Sequence, residues 1–188
     1  MAMGGSEKRR RLPDWLEWVL VVVVAGVLAL LLRTFVVSPY VIPTGSMLET
    51  IQEGDQVLGE KVSYYFRTPT QGEIVTFTDP NKPEQTLIKR VIAVGGQTVD
   101  LVDGVVYVDG EALDEPYTDG KPSVALNHGP NLEENVTYPY TVPDDCVWVM
   151  GDNRTNSADS RYFGAVPLST VGSHAFVVYW PVADWTTL

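Results

Sequence analysis

Two side chains in this sequence have the types and surroundings that nucleophilic catalysis requires, and the first is Ser46. It follows Pro43, Thr44 and Gly45. Proline fixes a backbone φ angle and removes an amide donor, whereas glycine allows a backbone conformation that a side chain forbids. Ser46 is therefore predicted to lie on a sharply turned backbone with its hydroxyl exposed. These residue types are also typical of an ordinary turn, so the serine by itself does not establish a nucleophile.

The second side chain is Lys89, a candidate to accept the proton of Ser46. A strand is predicted over residues 86–94, and side chains alternate along a strand. Lys89 then shares one face with the apolar residues Leu87 and Val91. Because an ammonium group is costly to desolvate, this setting is expected to lower the pKa of Lys89, and a neutral amine can act as a base. The alternative is a lysine whose charged end reaches solvent.

The other candidate bases and metal ligands are less well placed. Arg90 stays charged and cannot accept a proton. His128 lies in a polar stretch and His174 in a predicted closing strand, and neither belongs to a motif. Cys146 begins an apolar run, so it is expected to be a buried small residue. With one cysteine and two histidines in the chain, a zinc site of the usual composition is disfavoured.

A loop dense in Asp, Asn, Ser and Arg, residues 151–161, is the third candidate for chemistry. Short polar side chains hydrogen-bond to their own backbone, so an ordered turn is one interpretation. The functional interpretation is that Asp159 and Arg161 form an ion pair and that Ser157 holds a lysine amine in place.

An apolar segment near the N-terminus is predicted to anchor this domain in a membrane. Residues 15–37 are long enough to cross a bilayer, which takes about 20 residues. The preceding basic cluster, Lys8 to Arg11, predicts that residues 1–14 are cytoplasmic and residues 38–188 lie outside. A cleavable signal peptide is the alternative, although bulky residues follow where small ones are needed. A buried core helix is disfavoured, because no polar face recurs at the helical period.

Beyond the apolar segment the pattern changes to short strands, which predicts a mainly β domain. Residues 98–113 are predicted to form a meander, because Asp-Gly pairs separate their β-branched runs. Residues 116–140 are polar and rich in Gly and Pro, and they are predicted to be an excursion or a small lobe. The other strands are predicted at residues 56–62, 73–77, 86–94, 146–150 and 174–180.

The charge distribution argues against nucleic acid as a partner. The net charge is −11. Residues 1–33 hold five of the 13 basic and three of the 24 acidic residues, or +2, which leaves −13 for residues 34–188. Because phosphate binding needs clustered Lys and Arg, an acidic main domain of this kind is not expected to bind DNA or RNA.

Three stretches, in this order, resemble bacterial type I signal peptidases. They are residues 42–47 soon after the apolar segment, residues 87–92 around the lysine, and the loop 151–161. The resemblance runs from about residue 14 to the C-terminus. Two positions depart from the family pattern, because Glu49 stands where proline is common and Thr155 where an acidic or amide residue is frequent.

The resemblance implies a membrane-bound endopeptidase that removes signal peptides from exported preproteins at the outer face of the cytoplasmic membrane. It implies a Ser-Lys dyad that works without metal or cofactor. The implied fold is a core of coiled antiparallel β-sheets with a small extra lobe, preceded by one transmembrane helix. The implied partners are preprotein signal peptides and membrane lipid. A self-cleaving repressor with the same dyad is one alternative, but it would carry a DNA-binding segment and no anchor. An inactive, anchored binding module is the other.

Individual roles follow from the matching positions. Ser46 resembles the nucleophile, and Lys89 resembles the general base that later acts as an acid. The Thr44 hydroxyl and the Ser46 backbone N–H resemble the oxyanion donors. The supporting residues implied in the same way are Ser157 as the partner of Lys89, Asp159 and Arg161 as an ion pair, and Asp152. The residues implied to line shallow substrate pockets are Ile42, Pro43, Met47 and Ile88.

Overall fold

The computed structural model of the chain describes residues 13–188. The basic cluster of residues 8–11, from which the orientation in the membrane was predicted, therefore lies outside the described residues. Within them, α1 (Asp14–Phe35) begins after Pro13 and is apolar along nearly its whole length. Residues Trp15–Phe35 are long and apolar enough to cross a membrane, and none of the most hydrophobic stretch is buried against the protein. The helix ends before residue 37 because Val37 already belongs to a strand.

Twelve strands follow the helix, and every pairing between them is antiparallel. In chain order they are β1 (Val37–Val41), β2 (Gln56–Glu60), β3 (Ile74–Asp79), β4 (Lys82–Val94), β5 (Thr98–Val102), β6 (Val105–Val108), β7 (Glu111–Ala112), β8 (Tyr140–Thr141), β9 (Cys146–Met150), β10 (Val166–Pro167), β11 (Val171–Trp180) and β12 (Thr186–Thr187). A short helix, α2 (Ser160–Phe163), follows the loop after β9. The predicted mainly β fold is confirmed.

The strands form a large and a small sheet. The large one has the order β1-β2-β11-β3-β4-β9-β10, with β12 added to β11, and the small one has the order β7-β6-β5-β8. The small sheet arises mainly from the predicted meander. At both of its Asp-Gly turns the aspartate and the glycine have positive φ angles, as the tight two-residue hairpin turn requires. The predicted excursion, 116–140, contributes only the first residue of β8 and is otherwise irregular apart from one 3₁₀ turn.

The long strand β4 joins the two parts of the fold. Its residues before Arg90 pair with β3 alone, and β9 pairs with it from Arg90 onward. A register shift between Val91 and Ala93 interrupts the simple alternation predicted for this strand. As a result, Ile92 and Ala93 both pack in one apolar cluster with Trp148 and with residues of the small sheet. That cluster attaches the small sheet to the large one.

Candidate active site

Ser46 lies in a one-turn 3₁₀ helix, Gly45–Met47, that follows β1 and is buried over its whole length. Thr44 precedes the turn with extended backbone and an exposed side chain. Met47 is fully buried beneath the turn, where it packs in an apolar cluster with Ile51 and Ile74. The turn is therefore fixed from below by the core of the large sheet. Met47 supports the turn from this position and does not reach the cleft described below.

Lys89 reaches Ser46 from the neighbouring strand β4. Its side chain is 3% exposed, and its Nζ lies 2.7 Å from Ser46 Oγ. The same Nζ donates to the carbonyl oxygen of Ile88 at 2.8 Å. Pairing of Lys89 with Val75 on β3 fixes the backbone that carries the amine. The hydroxyl and the amine are thus held in hydrogen-bonding contact by two separate elements.

Burial decides the charge state of this amine. It lowers the pKa of Lys89 from 10.5 to about 8, against the opposing influence of the carboxylates of Asp159, Asp152 and Asp79. A fall of this size raises the neutral fraction at pH 7 roughly 300-fold, to about one molecule in ten. The predicted downward shift rests on the same cause, which is desolvation by the surrounding strands.

Asn153, in the loop after β9, holds the serine turn in place through two hydrogen bonds. Its side-chain Nδ2 donates to the carbonyl oxygen of Gly45 at 2.8 Å, and its backbone N–H donates to that of Ser46 at 3.1 Å. Both bonds are buried or nearly so, and they join residues about a hundred positions apart in the chain. The sequence reasoning did not single out Asn153, because an asparagine in a polar loop has no local feature that distinguishes such a contact.

Gly151 permits this close approach of the loop to the serine. A Cβ atom at this position would lie 2.4 Å from the carbonyl oxygen of Ser46 and 2.3 Å from Ser157 Oγ. Ser157 therefore packs against Gly151 beside the site. Its Oγ is buried and has no hydrogen-bond partner among the described residues. The predicted role of Ser157 in orienting Lys89 stays a prediction.

Two ion pairs hold the loop 151–161. Asp159 and Arg161 are completely buried, and the guanidinium donates from Nε and Nη2 to the two carboxylate oxygens at 2.9 and 2.8 Å. Asp159 also accepts from the N–H of Gly151 at 3.0 Å. Asp152 is held in the same bidentate way by Arg90, at 2.8 and 2.6 Å. These bonds place the beginning and the end of the loop around Lys89.

A third buried pair ties the loop to Glu115, just before the excursion, and the same arginine reaches a serine within the excursion. Arg154 is 1% exposed, and its guanidinium binds both carboxylate oxygens of Glu115 and donates to Ser123 Oγ at 2.6 Å. Tyr117, between the two arginine pairs, presents its ring to Arg90 at 4.0 Å from the ring centroid. The sequence reasoning missed Arg90, Arg154 and Glu115 as supporting residues. Arginines in apolar or ordered segments were the available signal. Such residues are expected to be buried, and a buried charge needs a partner of opposite charge.

A cleft of about 310 Å³ opens beside the serine and the lysine. One wall is the segment before Ser46 and the other is the part of β4 that leads to Lys89. The lining residues are Ile42, Pro43, Thr44, Ser46, Gln85, Thr86, Leu87, Ile88 and Lys89. The two histidines lie elsewhere: His128 contacts Asn135, and His174 lies near Glu60.

Comparison with known proteins matches the chain to one family. The family model described as "Signal peptidase, peptidase S26" matches residues 15–180. A protein of Synechocystis sp. named "Probable signal peptidase I-1" is 43% identical over 172 residues, which cover 88% of this chain and 82% of that protein. Signal peptidase I of Leptolyngbya laminosa is 38% identical over 163 residues, or 83% of this chain and 75% of that protein. The crystal structure of a signal peptidase I from Enterococcus faecalis V583 has a TM-score of 0.47 at 33% identity, and the match covers 57% of this chain and 97% of that one.

Proposed function

The chain belongs to the signal peptidase family, peptidase S26, and from this premise we propose that it is a membrane-anchored endopeptidase that cleaves signal peptides from preproteins with Ser46 and Lys89 as its catalytic dyad. The observation that carries the dyad is the 2.7 Å contact between Lys89 Nζ and Ser46 Oγ, in a site where the lysine is almost completely buried. A base next to a hydroxyl is what activates a serine.

In the first step, the neutral amine of Lys89 accepts the proton of the Ser46 hydroxyl while Oγ attacks the carbonyl carbon of the scissile bond. The resulting ammonium group then gives its proton to the nitrogen of the leaving segment, and an acyl ester remains on Ser46. In the second step, Lys89 takes a proton from water, the hydroxide oxygen attacks the ester, and the proton returns to Ser46 Oγ. The lysine is thus base and acid in turn.

The negative charge that develops on the carbonyl oxygen needs hydrogen-bond donors. The Ser46 N–H lies in the first turn of a 3₁₀ helix, and amides at that position have no acceptor within their own helix. Thr44, which lines the same cleft, can add its hydroxyl. We assign these two groups as the oxyanion donors, since donors already aimed at the developing charge stabilise the transition state.

The free edge of β4 supplies a template for the substrate backbone. Residues before Arg90 pair with β3 on one side only, and the other side of Gln85 to Lys89 faces the cleft. An extended peptide can add to such an edge through main-chain hydrogen bonds. Ile42, Pro43 and Ile88 then lie around its side chains. Asp152, Asp159 and Arg161 have a supporting role, which is to hold the loop 151–161 against the dyad.

The anchor is α1. Its 22 residues span about 33 Å at 1.5 Å per residue, which matches the hydrocarbon thickness of a bilayer, about 30 Å. With the N-terminus inside, the domain that follows lies outside the cytoplasmic membrane, where exported preproteins emerge. Membrane lipid is then in contact with α1.

The test is cleavage of a full preprotein by the detergent-solubilised full chain, with the Ser46→Ala variant beside it. The wild type should release the mature protein and the variant should not. An inactive binding module would retain the preprotein without cutting it, and a self-cleaving peptidase would cut its own chain instead.

A further inference from the structure

Each of the last four carbonyl groups of α1 accepts a hydrogen bond. The last four carbonyl oxygens of a helix receive no hydrogen bond from within the helix, so donors from elsewhere must satisfy them. Here the Leu32 carbonyl accepts from the N–H of Val36 at 2.8 Å. Lys61 Nζ donates to the carbonyl oxygens of Thr34 at 3.0 Å and Arg33 at 3.4 Å. The hydroxyl of Tyr65 donates to the carbonyl oxygen of Phe35 at 3.1 Å.

Three of these four carbonyls are therefore bound by two side chains, Lys61 and Tyr65, which we name the helix clamp. The backbone N–H of Lys61 adds a bond to the carbonyl of Val36 at 2.9 Å. A cation at the C-terminal end of a helix is also favoured by the helix dipole. The clamp thus contacts the end of α1 at every backbone acceptor that the helix leaves open after Leu32.

The clamp is itself tied to the catalytic sheet. Lys61 directly follows β2, and the 3₁₀ turn that carries Tyr65 begins where the N–H of Ser63 donates to Glu60 at 3.0 Å. The turn is held at its other end by Glu73, which accepts from the hydroxyl of Tyr64 at 3.0 Å and pairs with Arg67 at 2.7 Å. Glu73 immediately precedes β3, the strand that pairs with Lys89. A continuous set of contacts therefore joins the helix end to the dyad.

We propose that Lys61 and Tyr65 are positioning residues that fix the angle between α1 and the catalytic sheet, and so the height of Ser46 above the membrane. Ser46 lies beyond the far end of β1, whose five residues extend about 17 Å from the helix end at 3.3–3.4 Å per residue. A substrate held in the same membrane by its own apolar segment reaches the dyad only if its spacer matches that height. The inference rests on the proposed function, and it makes the clamp a determinant of which spacer length is cut.

The experiment uses the full chain in proteoliposomes and a series of preproteins whose spacer between apolar segment and scissile bond is lengthened one residue at a time. The wild type should show an optimum, with cleavage falling at least tenfold three residues from it. The Lys61→Met, Tyr65→Phe double variant should show a profile flattened to within about threefold. The single variant Lys61→Arg keeps a donor cation and leaves Tyr65 unchanged, so it should keep the optimum of the wild type. The Lys82→Met, Tyr107→Phe variant changes the same residue types away from α1 and should keep the wild-type profile.

A short soluble peptide with the same cleavage sequence separates positioning from catalysis. The clamp variant should cleave it with kcat/KM within twofold of the wild type, because the clamp does not touch the dyad or the cleft. A wild-type spacer profile in the double variant would overturn the proposal, and so would a parallel loss on the soluble peptide, which would indicate a defect in the fold. If the wild type cleaves neither substrate, the proposed function fails instead.

Discussion

In the proposed mechanism, the reactivity of Ser46 depends on whether the buried amine of Lys89 carries a proton. Lys89 lies on β4 and pairs with β3, and its burial outweighs the three carboxylates that favour its charged form. A shift of this size corresponds to about 3 kcal/mol of differential interaction between the two protonation states. The cost of burying Lys89 therefore falls on its charged form, and the neutral form that the proposed mechanism needs is populated near neutral pH.

The rate of the wild type should consequently follow the deprotonation of Lys89. Because the neutral amine is the base in the proposed mechanism, kcat/KM should rise with pH and level off above about 8. Between pH 8 and pH 6 it should fall about 50-fold, in proportion to the neutral fraction. The measurement is initial rates on a peptide substrate over this range.

Substitution tests the same assignment independently. Lys89→Arg keeps the charge but cannot supply a neutral amine, so activity should fall by a factor of about a thousand or more. The double variant with Ser46→Ala should be little worse than either single one, because the two groups act as a unit. Loss of activity in His128→Ala or His174→Ala would contradict the dyad, since neither histidine contacts Ser46.

Asn153 is expected to act on the geometry of the serine turn. Asn153→Ala removes the donor to Gly45 and should lower kcat about 10- to 100-fold with little change in KM, because small displacements of a reacting group have effects of that order. Asn153→Asp keeps the shape but presents an acceptor to a carbonyl, so it should be no better. Asn156, exposed in the same loop, provides the control: Asn156→Ala should behave like the wild type. Equal kinetics for Asn153→Ala and the wild type would exclude the positioning role.

At the scale of elements, the site depends on how closely the loop after β9 approaches the turn after β1. The turn is held between β1 and β2, whereas the loop is held by β9 and by the buried ion pairs of Asp152 with Arg90 and of Asp159 with Arg161. The approach is closest at Gly151, where the absence of a side chain lets the loop backbone pack against the carbonyl of Ser46.

Gly151→Ala should therefore separate the two elements. The added methyl group would clash with backbone on one side and with Ser157 on the other, so we expect a loss of more than about 100-fold in kcat and a lower melting temperature. The matched control is Gly172→Ala on β11, where the nearest atom to a new Cβ lies at 3.6 Å and no strained φ is involved. Circular dichroism melts and peptide cleavage measure the two effects. Full activity in Gly151→Ala would show that the loop can move away without consequence.

At the scale of the whole molecule, a single apolar helix precedes an acidic catalytic domain, and β1 starts two residues after the helix ends. This short connection leaves little freedom between anchor and domain. Arg154 of the loop 151–161 pairs with Glu115, just before the excursion, and donates to Ser123 within it. The apolar cluster around Trp148 joins the small sheet to the large one, so these parts belong to one packed body.

Orientation in the membrane can be tested directly. With one span and a cytoplasmic N-terminus, residues 38–188 should be degraded when protease is added to intact spheroplasts, while a cytoplasmic marker protein stays whole. Immunoblotting for the C-terminal region gives the result. Full protection of that region, followed by degradation only after lysis, would mean that the orientation is reversed.

The sequence by itself determined the features that depend on local physics. Uninterrupted apolar residues predicted α1, and β-rich runs bounded by turn residues predicted five of the eight strands of the large sheet. The Asp-Gly pairs predicted both hairpin turns of the small sheet, since only a few residue types accept positive φ. Ser46 and Lys89 were selected because a serine on a glycine turn and a lysine in an apolar strand each have a local signature. Family resemblance then joined the two stretches into one site.

Only the tertiary structure decided how that site is held together. The bonds of Asn153 to the serine turn, the pairing of Arg90 with Asp152, and the clamp of Lys61 on the end of α1 each join residues far apart in sequence. The burial of Met47 under the turn and the register shift after Val91 also follow from packing between elements. Such contacts leave no periodicity or composition in the chain, because they depend on which elements the fold brings together.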